Sequence, residues 1–215
     1  MKDKELIGSG QEGLVYKLND GTGLKVFWRT HDGCGHYDPD RREKHAEKEF
    51  ENTKKAYNRG INVPEPYDLK TVELDEKDIE PINKLKYRVG GRVPHNETVS
   101  PEKLLGEDLP ALHRDFIEGE TLYDRYIPDK RLEEKVESLH DDIEEANMMY
   151  PDVKAENYVL TDDDELYIVD CQNLREKDES ITTYLNLGWR DTPIATSKLE
   201  EWFYILKKSM ETPNI

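Results

Sequence analysis

The sequence predicts an α+β protein: a β-rich first part containing one long helix, then a smaller, mainly helical second part. Three observations lead there. A glycine-rich run near the start, Gly8-Ser9-Gly10-Gln11-Glu12-Gly13, leads into strand-like stretches rather than into a helix. A long charged stretch from Pro39 to Asn58 keeps apolar residues at helical spacing. Around residue 160 two apolar runs flank a polar turn, which reads as a β-hairpin.

Composition bounds what such a protein can do. Its 215 residues suffice for one sizeable core or for two small lobes. Charged residues make up 37%, hydrophobic ones 35%, and the net charge is −17. The surface must be heavily charged, yet the apolar residues fall in patterned runs, which favours a globular chain over a disordered one. An acidic balance argues against a general nucleic-acid binder and against an anionic-membrane binder, since both need an excess of Lys and Arg. It also suits a salty cytoplasm, against which stands the excess of Lys over Arg. Cys34 and Cys171 lie far apart, so a disulfide framework is not expected and a reducing cytoplasm is the natural compartment. No apolar run approaches transmembrane length, and Met1-Lys2-Asp3-Lys4-Glu5 does not open a signal peptide.

Taken in order, Leu6-Ile7 enters the glycine run, and Leu14-Val15-Tyr16-Lys17-Leu18 has strand composition. Glycines let backbone amides approach phosphate oxygens closely. Asn19 to Gly23 makes a turn, and Leu24-Lys25-Val26-Phe27-Trp28 is a further strand. Lys25, set between Leu24, Val26 and Phe27, reads as a purposeful charge rather than a snorkelling strand lysine. His31, Cys34, His36 and Asp38 are zinc-capable donors in a Gly-rich loop, but no second knuckle follows, and a plain loop is the expectation.

The helix over Pro39–Asn58 takes Asp40 as its N-cap and places Ala46, Phe50, Thr53, Ala56 and Tyr57 on the apolar face. Arg59-Gly60 closes it. Of Glu43, Glu47, Glu49 and Glu51, the one chosen to pair with Lys25 is Glu49, beside Phe50 on the apolar side. Ile61 to Pro66 is extended because of its prolines. Over 67–110 the alternation from Lys84 to Val89 predicts a strand, Gly90-Gly91 a turn, and Ser100 to Leu105 a short capped helix. A strand through Leu109–Leu112 then runs to Asp115-Phe116-Ile117-Glu118-Gly119, which suits a hinge.

The second part opens with a helix over Asp129–Asn147, with Leu132, Val136, Leu139, His140 and Ile143 on one face and His140 a core residue. Tyr150-Pro151-Asp152-Val153-Lys154-Ala155-Glu156-Asn157 follows. Tyr158–Leu160 and Glu165–Val169 then form a hairpin about Thr161–Asp164. Such a hairpin brings Asn157 and Asp170 to one end of a small sheet, and Asp152, Asn157 and Asp170 are groups that can hold a metal–phosphate complex. Beyond Cys171-Gln172-Asn173-Leu174, the stretches Ser180–Leu187 and Leu199–Ser209 complete the chain. The second reads as a helix with Trp202, Phe203, Ile205 and Leu206 in a core.

With these motifs in order, the chain resembles the protein-kinase-like superfamily, and within it most closely the RIO family of atypical serine/threonine kinases. The resemblance rests on Ile7 to Gly13, Leu24-Lys25-Val26-Phe27, Glu47 to Asn52 running on to Gly60–Pro66, Asp115 to Gly119, Asp152 to Asn157 and Ile168-Val169-Asp170. It implies a two-lobe fold with the N-lobe over 1–118 and a reduced C-lobe, without a full activation segment, over 119–215. It further implies ATP and Mg²⁺ (or Mn²⁺) as ligands and a protein Ser/Thr hydroxyl as acceptor. Ile7, Gly8, Ser9, Gly10, Gly13 and Val15 would surround nucleotide, with Phe116 and Ile117 at the adenine. Lys25 would contact phosphates and Glu49 orient it; Asp152 and Lys154 would be catalytic, and Asn157 and Asp170 would hold metal.

The chain departs from the family at three places. Tyr150 stands where a His precedes the catalytic Asp, and Cys171-Gln172 stands where Phe-Gly follows the metal Asp. Arg114 falls near the gatekeeper position, where a buried unpaired Arg would be costly, so it pairs with a carboxylate or points outward. Two other readings use the same residues: a nucleotide-binding pseudokinase acting as an interaction module, and a small-molecule kinase resembling aminoglycoside phosphotransferases.

Overall fold

The computed structural model describes residues 4–10, 13–30, 38, 40–88, 101–124 and 130–177. Its contacts divide the chain into two compact units. One comprises the chain up to Lys54 together with Pro64–Phe116; the other comprises Lys55–Val63 and the chain from Ile117 onward. The architecture is α+β.

The first unit is built on a five-stranded antiparallel sheet. Its strands are β1 (Lys4–Ser9), β2 (Gly13–Leu18) and β3 (Thr22–Phe27) before helix α1 (Arg41–Asn58), then β4 (Pro66–Glu73), helix α2 (Glu76–Arg88) and β5 (Asp108–Asp115). The spatial order is β1-β2-β3-β5-β4, so β5 inserts between β3 and β4. Pro110, which has no amide to donate, lies one residue beyond the last pair that β5 makes with β3, Val26 with Ala111.

Alternation along the central strands sorts side chains onto two faces. Leu14, Tyr16, Leu24, Val26, Leu109 and Ala111 form one cluster, closed by Ile79 and Ile82 of α2 and by Leu104. Phe27 and Leu112 meet Ala46 and Phe50 of α1 in another. Strand β3 is therefore covered on both sides, which is why its last five residues are all buried.

Helix α2 corrects the strand expected from Lys84 to Val89: the chain is helical from Glu76 to Arg88. Leu85 and Tyr87 alternate by chance inside a helix nucleated upstream, and Val89 lies outside the described residues. Asp75 Oδ1 accepts the amide of Lys77 at 2.9 Å, while Asp78 Oδ2 accepts the amide of Asp75 at 2.8 Å. That reciprocal cap satisfies two orphan donors at the helix start. Asp78 also accepts from the buried Tyr16 hydroxyl (2.8 Å) and from Lys4. Burial works against its charge, but these bonds outweigh it and hold its carboxyl below the usual range. The short helix expected at Ser100–Leu105 is a single 3₁₀ turn, Pro101–Leu104.

Helix α1 begins at Arg41, with the Asp40 carbonyl accepting the amide of Lys44 (3.0 Å). Tyr57, expected on its apolar face, is 41% exposed, whereas Glu49, Asn52 and Thr53 are buried there. Thr53 and Glu49 thus lie inward as expected, and Tyr57 is the residue of that face that turns to solvent instead. The helix ends as a Schellman turn: Ile61 N reaches Ala56 O (3.1 Å), Gly60 N reaches Tyr57 O (3.0 Å), and Gly60 takes φ +79°.

The second unit contains β6 (Glu120–Thr121), helix α3 (Lys130–Glu145), β7 (Met148–Met149), β8 (Tyr158–Leu160), β9 (Leu166–Ile168) and β10 (Arg175–Glu176). Strands β6-β8-β9 form one antiparallel sheet and β7 pairs with β10. Val136, Leu139 and Ile143 of α3 pack with Ala56, Ile61, Val63, Tyr150, Tyr158 and Ile168 in its core. His140 is partly buried at the edge of this core: Nε2 lies 2.6 Å from the Tyr158 hydroxyl, and burial pushes its pKa down to about 4. Gly119 passes so close to β8 that a Cβ would overlap the Leu160 carbonyl.

The chain past Asp170 is tied back to this unit. Cys171 and Leu174 are fully buried, and the Leu174 amide bonds to Cys171 O at 3.0 Å. Glu176 is held by Arg59 and by Lys55 (3.4 Å), and Lys177 Nζ meets Glu144 at 2.7 Å. The stretches Ser180–Leu187 and Leu199–Ser209, the turn at Gly90-Gly91, and His31, Cys34 and His36 lie outside the described residues. Among the described residues no helix is long and apolar enough to cross a membrane.

Candidate functional site

In the first unit the candidate residues are Lys25, Glu49, Arg114 and the glycine run. Lys25 sits mid-strand on the α1-facing side of β3, and its ammonium lies 2.6 Å from Glu49 Oε2. The Glu49 carboxylate is fully buried, and the Lys25 side chain is 7% exposed. Thr53 Oγ1 donates to the Glu49 carbonyl at 2.6 Å, one turn along the helix. The pairing glutamate is therefore Glu49 rather than Glu43, Glu47 or Glu51.

Arg114 resolves in favour of a carboxylate: its Nη1 stands 3.5 Å from Glu49 Oε1, so one carboxylate serves two cations. Register explains the meeting. Lys25 pairs with Leu112 and Gly23 with Arg114, which puts Lys25 and Arg114 on one face of adjacent strands.

The glycine run forms the turn between β1 and β2. Gly10 N donates to Gly13 O at 2.8 Å, and Trp28 Nε1 reaches Gly10 O at 3.3 Å. The register slips between Leu6 and Gly8, which leaves Ile7 at a bulge with 48% exposure. Ser9 pairs with Leu14, and Val15 pairs with both Gly8 and Lys25. Gln11 and Glu12 lie outside the described residues. Phe116 follows β5, half-buried, with Lys17 Nζ 5.3 Å from its ring centre.

In the second unit the candidates gather at one end of the β8–β9 hairpin. The Val169 amide donates to Asn157 O at 2.9 Å, one step past the Tyr158–Ile168 pair, which fixes Asn157 and Asp170 at the same end. Asn157 is buried on a 3₁₀ turn, Ala155–Asn157. Its Nδ2 donates to the Tyr150 hydroxyl (2.9 Å) and to the Asp152 carbonyl (3.0 Å), with Asp152 Oδ2 at 3.4 Å. Both amide protons thus have acceptors, and the remaining atom, Oδ1, is a hard oxygen of the kind Mg²⁺ takes.

Asp152 accepts from Lys154 Nζ at 2.8 Å and from Asn173 Nδ2 at 3.4 Å. Burial opposes charge on Lys154, but its bond to the Asp152 carboxylate outweighs that and the Lys154 pKa is raised. Asp170 Oδ1 lies 3.4 Å from the Gln172 amide, and its carbonyl accepts the Tyr150 hydroxyl at 2.9 Å. Burial, then the nearby Asp170 charge, raises the Tyr150 hydroxyl well above its ordinary range, so it stays protonated.

Among the described residues no group of three or more His, Cys, Asp or Glu side chains is placed to hold a metal. The donor set of the second unit is instead one amide oxygen and carboxylates, which fits a hard divalent cation that takes its other ligands from phosphates and water. Sequence reasoning noticed Tyr150 only as a replacement for a His, and it missed Asn173 altogether. The signal for Tyr150 was a hydroxyl-bearing aromatic just upstream of Asp152; Asn173 had none.

No protein-family model matches this chain, and no curated protein is similar enough to count as a relative.

Proposed function

We propose that this chain is an ATP-dependent phosphotransferase with the two-lobe plan of the protein-kinase-like superfamily, nearest in kind to the RIO family. It would work in the cytoplasm with Mg²⁺ or Mn²⁺ and pass phosphate to a Ser or Thr hydroxyl of a protein, or to water. The observation that carries this reading is the buried pair of Lys25 and Glu49. Desolvating two ions costs several kcal/mol for each, and such a pair is a weak device for stability. A strand lysine held by the next helix's glutamate is, however, what protein kinases require in order to engage nucleotide phosphates.

The other groups support the same reading. Lys25 offsets phosphate charge and Glu49 orients it, with Ile7, Gly8, Ser9, Gly10, Gly13 and Val15 around the nucleotide and Phe116 and Ile117 at the adenine. Asn157 Oδ1 and the Asp170 carboxylate hold the metal. A bound divalent cation supplies neutralisation of charge across the phosphates. Asp152 orients the acceptor hydroxyl and takes its proton, and Lys154, paired with Asp152, keeps that carboxylate in place. Positioning and electrostatics are most of what phosphoryl transfer asks of a protein.

The test is phosphate release and self-labelling from γ-labelled ATP with Mg²⁺ or Mn²⁺, comparing wild type with Asp152→Asn and Asp170→Asn. The expected result is turnover in wild type and a loss of roughly 10²- to 10⁴-fold in Asp152→Asn, with Asp170→Asn also impaired. The label's destination separates kinase from ATPase. Nucleotide binding without turnover in any of the three proteins would refute the enzyme and leave a binding module.

A further inference from the structure

One hydroxyl touches both residues assigned to the metal. Tyr150 Oη accepts from Asn157 Nδ2 at 2.9 Å and donates to the Asp170 carbonyl at 2.9 Å. Both directions are forced. A carbonyl oxygen only accepts, so the single phenolic proton goes to Asp170; an amide nitrogen only donates, so Asn157 supplies the other bond.

The ring that carries this hydroxyl cannot drift. Tyr150 is 3% exposed, sits in the core of the second unit, and meets Tyr158 edge-on with ring centres 6.1 Å apart.

The consequence falls on the Asn157 amide. Three acceptors surround its Nδ2: Tyr150 Oη, the Asp152 carbonyl and Asp152 Oδ2. Turning the amide over would set Oδ1 against a carbonyl, a carboxylate and a hydroxyl whose proton is already committed. Each contact would become lone pair against lone pair, inside a buried site where unsatisfied polar atoms are costly. Without the hydroxyl, one of the two short bonds that fix the amide disappears, and the Asp170 carbonyl loses its donor from the same atom.

The geometry points to Tyr150 as the positioning residue of the metal site, its one hydroxyl setting the face of the Asn157 amide and the backbone of Asp170 together. The inference rests on the reading of Asn157 and Asp170 as metal ligands. It adds that Tyr150 acts through them and touches neither metal nor phosphate.

The test is metal binding rather than turnover. Mn²⁺ is titrated into the full chain with a non-hydrolysable ATP analogue, and free Mn²⁺ is followed by electron paramagnetic resonance. The proteins are wild type, Tyr150→Phe, Tyr158→Phe, Asn157→Ala and Asp170→Asn, each checked for fold by circular dichroism. Removing a group that orients a ligand typically weakens metal binding by about 10- to 100-fold, and that is the expectation for Tyr150→Phe. Tyr158→Phe loses an equally buried hydroxyl, one bonded to His140, and should bind as wild type does. In steady-state assays the Tyr150→Phe defect should appear in the Mg²⁺ concentration needed and be largely recovered at saturating Mg²⁺.

Equal affinity in wild type and Tyr150→Phe would overturn the inference while leaving the phosphotransferase intact. Equal loss in Tyr150→Phe and Tyr158→Phe would also overturn it, since any buried hydroxyl would then do. Binding unaffected by Asn157→Ala and Asp170→Asn would remove the metal assignment itself, and this inference with it. Should Tyr150→Phe fail to fold, side-chain amide exchange in wild type decides. Slow exchange of both Asn157 Nδ2 protons supports the hydrogen bonds, and exchange at the rate of an exposed Asn overturns them.

Discussion

Glu49→Gln removes one charge and almost no volume from the most desolvated ionic cluster of the first unit. The carboxylate is fully buried, and the Lys25 and Arg114 side chains beside it are 7% and 6% exposed. With the charge gone, both cations lose the carboxylate they share. Breaking a buried pair by deleting one partner costs about 3–5 kcal/mol, and here the deleted partner is shared. Deleting either cation is milder, because Glu49 keeps the other. The two are not equal. At 2.6 Å against 3.5 Å, Coulomb attraction makes the Lys25 contact about a third stronger than the Arg114 contact. The expected order of destabilisation in urea unfolding is therefore Glu49→Gln, then Lys25→Met, then Arg114→Met, the cation deletions costing roughly 1–3 kcal/mol. A Glu49→Gln cost below about 1 kcal/mol, or a smaller one than either cation deletion, would refute the shared-carboxylate account.

Two further outcomes follow from the second unit. His140 carries a pKa of about 4 against an ordinary 6.5, so on acidification the unfolded chain takes its proton first. Stability should fall as pH drops from 6.5 towards 4, by up to about 3 kcal/mol from this residue, and His140→Phe should flatten that portion of a urea-midpoint profile; an unchanged slope would contradict the burial. Gly119→Ala forces a methyl onto the Leu160 carbonyl, and overpacking of this kind costs about 1–3 kcal/mol. Thermal unfolding of that variant should show the loss, and a wild-type Tm would mean the approach is looser than described.

What the sequence disclosed was decided by how local each signal is. The hairpin at Tyr158–Ile168 could be read because two apolar runs and a polar turn sit within a dozen residues. Glu49 was readable because its neighbour Phe50 marked the helix face, and the same logic failed two turns later, where Tyr57 is exposed. Lys84 to Val89 misled because alternation in a short window cannot reveal a helix capped nine residues upstream by Asp75 and Asp78. Arg114 stayed open between two outcomes, since only the β3–β5 register shows which carboxylate it meets. The two bonds of the Tyr150 hydroxyl were out of reach, because one of them spans twenty residues and ends on a backbone atom.

The tether behind Asp170 bears on how the second unit could be governed. Swinging that aspartate away would mean unzipping β10 from β7, lifting Leu174 from the core and parting Glu176 and Lys177 from Arg59, Lys55 and Glu144. Each surface ion pair is worth little alone, but the buried leucine and the strand pairing make the opening a cooperative event. The end of the hairpin is thus a socket and not a latch. Its geometry is fixed by the fold that lies behind Asp170.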